Sequence, residues 1–233
     1  MTDFHSHILP GVDDGSKDVE MSVAMLRTLA EQGVDRVVAT PHFYPRRDDP
    51  VRFLERRRES ADRLREAISG ENGLTEMILG AEVYYFPGIS HSDVLQSLTI
   101  AGKKGILIEM PPAPWTESMY RELENIRNRH GLMPIIAHVD RYIRPFKTYG
   151  IPERLKELPV FVQANAEFFL DRSTRRMALR MLKTDQIHVL GSDCHNLKDR
   201  NPNLGDAVSL IQKRLGSERL DWIHTHEQEI LFG

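Results

Sequence analysis

A single cysteine, Cys194, stands in a chain of 233 residues, so no internal disulfide can form. Stability must come from a buried core, which a chain of this length can build. Charge of one sign is not in excess either: 31 Lys and Arg face 34 Asp and Glu, a net of −3. That removes the broad cationic surface from which nucleic-acid binding draws its counterion-release energy. No apolar run approaches the roughly 20 residues needed to cross a bilayer. The opening Met1-Thr2-Asp3-Phe4-His5 is polar where a secretory signal would be basic and then apolar. We therefore expect a cytoplasmic protein, with no membrane insertion and no nucleic-acid partner. Low-complexity tracts, fixed-period repeats and Gly/Ser-rich linkers are missing too, so one domain over residues 1–233 is the expectation.

What is present is an alternation. Apolar runs rich in Val, Ile and Leu occur at Arg36–His42, Glu76–Tyr84, Lys104–Met110, Met133–His138, Val160–Ala164 and Ile187–Asp193, and Asp3–His7 adds a short opening strand. They read as buried parallel strands. Amphipathic stretches lie between them at Lys17–Gln32, Pro50–Ser69, Thr116–His130, Ser173–Lys183 and Leu204–Leu215. Seven strands in βα succession predict an α/β fold of the (β/α)7 TIM-like barrel type, with an open doubly wound sheet as the alternative.

The chemistry-bearing residues fall where that reading puts active sites. His5 and His7 end the first strand, His42 the second, Glu82 the third, Glu109 the fourth and His138 the fifth; Asp193 and His195 end the last. These are C-terminal strand ends, the rim on which side chains from distant parts of a barrel converge. Singly, each reads as an ordinary solvated loop residue. Eight of them on one rim would repel one another or strand their lone pairs unless cations lay between them, so a multinuclear metal centre is expected. Residues i and i+2 of a strand point the same way, which lets His5 and His7 grip one ion. Nitrogen and oxygen donors without thiolates suit zinc, manganese or iron, and a carboxylate such as Glu82 can bridge two ions about 3.5–4 Å apart. Asp13-Asp14-Gly15 in the first loop offers either a further acidic ligand or an ordinary Asx turn before a helix.

The motifs DFHSHILPGVDDGSKD, Thr40-Pro41-His42, Gly80-Ala81-Glu82, Ala137-His138 and Gly191-Ser192-Asp193-Cys194-His195-Asn196 resemble those of the PHP (polymerase and histidinol phosphatase) superfamily. The first is similar, more narrowly, to the bacterial metal-dependent protein-tyrosine phosphatases of the CpsB/YwqE type, from capsule and exopolysaccharide operons. The resemblance runs from Asp3 to Pro202. It implies a distorted (β/α)7 barrel with a centre of three divalent ions, manganese before iron, zinc or magnesium. One ion would take His5, His7, Glu82 and Asp193. A second would share Glu82 and add Glu109 and His138. The third would take His42, His195 and a first-loop carboxylate, Asp14 in the first instance and Asp13 in the second. Arg141 and Arg200 match the family's phosphate-holding arginines, although His138-Val139-Asp140-Arg141-Tyr142 and Arg200-Asn201-Pro202 depart from the usual His-Pro-Glu-Arg-Tyr and Arg-Pro-Pro. The implied substrate is phosphotyrosine on an autophosphorylated bacterial tyrosine kinase of polysaccharide export. The rival readings are a phosphatase of small esters such as histidinol phosphate and a non-catalytic metal-binding regulatory barrel.

Cys194 and Arg200 also fit the C-x5-R spacing of cysteine-dependent phosphatases, but the five bulky residues between them do not suit a loop whose N–H groups must turn inward. Arg46 and Arg47, soon after His42, read either as a plain loop or as a receiver of acidic substrate. The arginines of residues 52–65 alternate with acids and read as a solvated helix face. His224 and His226 are expected to be solvent-exposed.

Overall fold

Backbone pairing turns the apolar runs into parallel strands. The computed structural model describes residues 1–143 and 150–233. In chain order its elements are β1 (Thr2–Ser6), α1 (Val19–Glu31), β2 (Arg36–Ala39), β3 (His42–Phe43), α2 (Pro50–Ala67), β4 (Glu76–Leu79) and β5 (Glu82–Tyr84). After three short 3-10 turns within residues 89–102 come β6 (Gly105–Glu109), α3 (Glu117–His130), β7 (Met133–Ile136), α4 (Asp140–Ile143) and α5 (Ile151–Lys156). The chain ends with β8 (Phe161–Asn165), α6 (Ala166–Leu170), α7 (Arg175–Lys183), β9 (Val189–Gly191), α8 (Leu204–Leu215) and α9 (Ser217–Phe232).

Every strand pair is parallel, in the orders β1-β2-β4 and β3-β5-β6-β7-β8-β9. The ring is joined where the end of β9 meets β1: Asp193 N–H donates to His5 O at 2.7 Å and His7 N–H to Cys194 O at 2.8 Å. Two expected strands, Arg36–His42 and Glu76–Tyr84, are each interrupted. Pro41 has no N–H to offer a ladder. Pairing resumes beyond it, with Glu82 N–H donating to Pro41 O at 3.1 Å and His42 in register with Glu82.

Alternate strand residues serve two apolar layers. Ile106, Ile108, Ile136 and Leu190 face outward onto helix residues such as Leu26, Leu64, Leu123 and Leu182. Val38, Leu107, Ile135, Ala137 and Val189 form the inner cluster, closed by Ile230 and Leu231 of α9. Two residues after an inner apolar position comes the site: Leu107 leads to Glu109, and Val189 leads through Gly191 to Asp193. β1 carries a register shift, three steps from Asp3 to Ser6 against two from Val37 to Ala39 on β2. Bulges of this kind re-aim side chains beside active sites.

Helix ends follow ordinary capping. Asp18 accepts the Met21 N–H at the start of α1, and Asp49 accepts that of Arg52, with Pro50 opening α2. α9 was not among the expected helices, because its buried apolar residues cluster at Ile223, Ile230 and Leu231 with polar His224-Thr225-His226-Glu227 between. Among the described residues no helix is long and apolar enough to cross a membrane.

Candidate metal centre

The rim at the C-terminal ends of the strands gathers nine of the ten predicted donors into overlapping groups: His5, His7 and Asp193; His5, Glu82 and His138; His42, Glu82 and Glu109; and His7, Asp14, His42 and His195. Within each group the donor atoms lie within 4.8 Å of one another. His138 (φ 31°) and Asp193 (φ 54°) sit in the left-handed region, which a non-glycine residue occupies only when its surroundings hold it there.

Hydrogen bonds fix which nitrogen each imidazole presents. His5 Nδ1 faces Gln163 Oε1 at 3.2 Å, His7 Nδ1 faces Asp13 Oδ2 at 2.7 Å, and His195 Nδ1 faces Asp193 O at 3.0 Å. Donation through Nδ1 makes Nε2 the atom that each of the three would present to a cation. His5 Nε2 and His7 Nε2 stand 3.2 Å apart, each within 3.5 Å of Asp193 Oδ1 and at 3.2 and 3.4 Å from Glu82 Oε2. Four donors placed tetrahedrally at about 2.1 Å from a common centre lie about 3.4 Å from one another. Glu82 reaches further: His42 Nδ1 lies 2.9 Å from Oε2 and His138 Nε2 lies 2.8 Å from Oε1. Glu109 stands 3.8 Å from His138 and 3.9 Å from His42.

Asp14, not Asp13, opens toward His42 and His195, at 3.6 and 3.5 Å. Asp13 has its oxygens engaged elsewhere, accepting from the N–H groups of Gly15 and His42 as well as from His7. It faces His7 Nδ1 and lies outside the four donor groups, whereas Asp14, the first choice among the loop carboxylates, lies within one. Gly15 permits this fold of the loop: a Cβ there would lie 2.2 Å from His7 O. Gly191 is as tight, since a Cβ would meet that of His5 at 2.5 Å.

Sequence reasoning missed the supporting residues Gln163 and Asn165. Gln163 Oε1 also accepts the His138 N–H at 2.6 Å, its Nε2 donates to Asn165 Oδ1 at 2.9 Å, and Asn165 Nδ2 donates to Asp193 Oδ2 at 3.0 Å. Two polar residues at i and i+2 of the otherwise apolar Val160-Phe161-Val162-Gln163-Ala164-Asn165 run were the available signal. Asp3 likewise ties β1 to β9, accepting from the N–H groups of His5 and Ser192.

The chemistry of this donor set fits divalent cations. Glu82 Oε2, Glu109 Oε2 and His195 Nε2 are buried without a hydrogen bond, a costly state for polar atoms that have no other partner. Burial, with the positive charges of His7 and Arg200, pushes His195 down to about 3, so it is a neutral imidazole at physiological pH. For His5, burial lowers the pKa, but Glu82 and Asp193 outweigh it and raise the balance above the ordinary value; Asp13 and the carboxylates carry His7 well above it. Both therefore hold protons that a cation must displace. Affinity for manganese is expected to rise as pH increases through and above the ordinary imidazole range, about tenfold per unit for each proton displaced. Calorimetric titrations at several pH values check this; a flat profile would exclude both imidazoles.

The two predicted arginines reach the mouth of the cluster from different segments, Arg141 from α4 and Arg200 from the loop between β9 and α8. Arg200 Nη2 lies 2.6 Å from Asp193 Oδ1, and Arg141 Nη2 pairs with Asp193 Oδ2. Their side chains remain 36% and 41% exposed. Cys194 is fully buried, and burial together with Asp3 and Asp193 drives its thiol well above the ordinary range. The C-x5-R segment does not cradle it. The N–H groups of His195 and Asn196 donate to Arg200 O, and those of Lys198 and Arg200 to Asn196 Oδ1. His226 departs from expectation: it is half-buried, packed on Trp222, His188 and Phe161 at 4.3, 5.0 and 5.3 Å, while His224 is exposed.

Comparison with known proteins gives the same picture. The chain is 31% identical to the tyrosine-protein phosphatase YwqE of Bacillus subtilis, over 99% of its own length and 91% of that protein. It is 29% identical to the tyrosine-protein phosphatase CpsB of Streptococcus pneumoniae, over 94% and 93%. A solved structure from work on YwqE and CpsB, described as unique metal-dependent tyrosine phosphatases, superposes with a TM-score of 0.86 at 27% identity, covering 99% of this chain and 94% of that one. A lactonase of Deinococcus radiodurans shares the fold alone, at a TM-score of 0.51 and 15% identity over 100% and 95% of the two chains. The sequence pattern of the capsular polysaccharide synthesis family CpsB/CapC matches residues 1–232, and the chain belongs to that family.

Proposed function

We propose that this chain is a metal-dependent protein-tyrosine phosphatase acting, as one domain in the cytoplasm, on an autophosphorylated tyrosine kinase of capsule or exopolysaccharide synthesis. The observation that carries the reading is the convergence of five imidazoles and four carboxylates with two arginines at their mouth. His5, His7, Glu82 and Asp193 would hold one ion, Glu82, Glu109 and His138 a second, and His42, His195 and Asp14 a third, with manganese as the metal. Such a cluster, when bound, supplies Lewis-acid charge and lowers the pKa of water.

The remaining work falls to the chain. Arg141 and Arg200 each offer a planar fork to phosphate oxygens and stabilise the charge that builds on them during transfer. Asp13 and Gln163 keep His7 and His5 in one tautomer. With its imidazoles spent as ligands, the site suits a phenolate leaving group, whose conjugate acid has a pKa of about 10 and which needs less proton donation than an alkoxide. That favours tyrosyl over histidinol phosphate. The test is elemental analysis with turnover of a phosphotyrosyl peptide and of histidinol phosphate across manganese, iron, zinc and magnesium. Manganese-supported, chelator-sensitive preference for the peptide is expected; no peptide turnover with any metal would overturn the proposal.

The thiol plays no part in this chemistry. Cys194→Ser is expected to keep most of its activity in the same assay, whereas a thiolate nucleophile would be abolished in a folded, metal-loaded variant.

A further inference from the structure

Beside the metal centre opens a pocket of about 620 Å³ that the proposed chemistry does not use. Its wall comes from the same three strand ends that carry His42, Glu82 and Glu109, two residues further on in each case: Tyr44, Tyr84 and Pro111. The two spaces are contiguous, because the Tyr44 ring stacks on His42 at 5.1 Å and stands 5.7 Å from Tyr84. Phe86 extends the aromatic lining, and Arg46 and Arg47 form an exposed rim. The volume exceeds what one phenol ring fills and falls in the range of sites that enclose larger ligands.

The rim carries uncompensated charge. Among the described residues neither Arg46 nor Arg47 enters an ion pair; Arg47 rests over the Tyr44 ring at 5.5 Å. Their acidic neighbour Asp48 is committed, 3.0 Å from Arg56 and accepting the Tyr44 N–H at 2.8 Å. Aromatic and proline surfaces beneath two free guanidiniums complement a peptide that presents apolar and acidic side chains together.

We propose that this pocket is the polypeptide subsite of the enzyme, holding the residues that flank the phosphotyrosine, with an acidic side chain on Arg46 and Arg47 and an apolar one on Tyr84 and Phe86. The inference rests on the phosphatase reading above and adds to it the sequence context the enzyme selects. A small alkyl phosphate would leave the pocket unfilled.

The test uses two phosphotyrosyl peptides identical except that Glu residues flanking the phosphotyrosine in one are Ser in the other. The parent enzyme is expected to favour the acidic peptide by about tenfold in kcat/KM, mainly through KM, with the preference shrinking as salt rises from about 0.05 to about 0.5 M. In the Arg46→Ala/Arg47→Ala double variant, at equal metal content, the ratio between peptides should fall to near one. Tyr84→Ala should raise KM for both peptides relative to p-nitrophenyl phosphate. Turnover of both peptides without charge preference, or a preference that survives the double variant, overturns the subsite and leaves the phosphatase reading standing; no turnover of either overturns both. A sedimentation measurement showing a dimer that the double variant dissolves would make this face a self-association surface and also overturn the proposal.

Discussion

Glu82→Gln is expected to lose metal and rate together, and to lose more of both than any other single change at the centre. Both Glu82 oxygens are engaged: Oε2 lies within 3.4 Å of nitrogens from His5, His7 and His42, and Oε1 within 2.8 Å of His138. Burial alone would raise its pKa, yet the charge of His5 and the close approach of the His138 and His42 imidazoles pull it well below the ordinary range, so it stays ionised at 1% exposure. Glutamine keeps the shape, removes the charge and turns one acceptor into an NH2 aimed at imidazole lone pairs. Supporting residues behind a ligand cost about 10–100-fold in affinity when changed, and a bridging carboxylate is expected to exceed that. Elemental analysis should find at least one ion fewer per chain, with kcat/KM down by more than about 10³ even in excess manganese. Full metal content in the variant would refute the bridging role.

The convergence of the candidate donors on one rim was legible because these residues obey strand periodicity. His5 with His7, and Asp193 with His195, carry i, i+2 spacing at the ends of the first and last expected strands, and the barrel reading brings those ends together without further assumption. Where the structure departs from expectation, tertiary contacts decide. Nothing in Asp13-Asp14-Gly15 tells the two carboxylates apart; in the structure Gly15 closely approaches His7 O, Asp13 faces His7, and Asp14 opens toward His42. The breaks in the second and third strands required weighting Pro41 above the apolar run around it. Gln163 and Asn165 were passed over as ordinary residues of a buried strand, although a buried amide needs partners and these partners are the candidate ligands. α9 escaped because the polar His224-Thr225-His226-Glu227 segment conceals a helix whose apolar end plugs the inner cluster and whose Glu227 accepts the Thr2 N–H at 3.1 Å.

On the proposed assignment the arginines hold the substrate and take no part in building the centre, so alanine at either position is expected to impair the first without the second. A guanidinium stays protonated and has no lone pair to give a cation, so Arg141→Ala and Arg200→Ala should be purified with the parental ion content. Their loss should fall on the reaction, on the order of 10²–10³ in kcat/KM, the scale seen when one preorganised charge-stabilising donor is removed. Arg141→Lys should lie between parent and alanine, because an ammonium restores the charge without the two-point fork. Both guanidiniums also pair with Asp193, one on each oxygen. Asp193 keeps other anchors, the Asn165 amide at 3.0 Å and its own N–H to His5 O at 2.7 Å, so it should hold its place when one arginine is removed. Parental turnover of a phosphotyrosyl peptide by both alanine variants would end the phosphate-clamping assignment. Loss of metal from either would show that Asp193 depends on the arginine for its position, and would turn a substrate-binding residue into one that maintains the ligand shell.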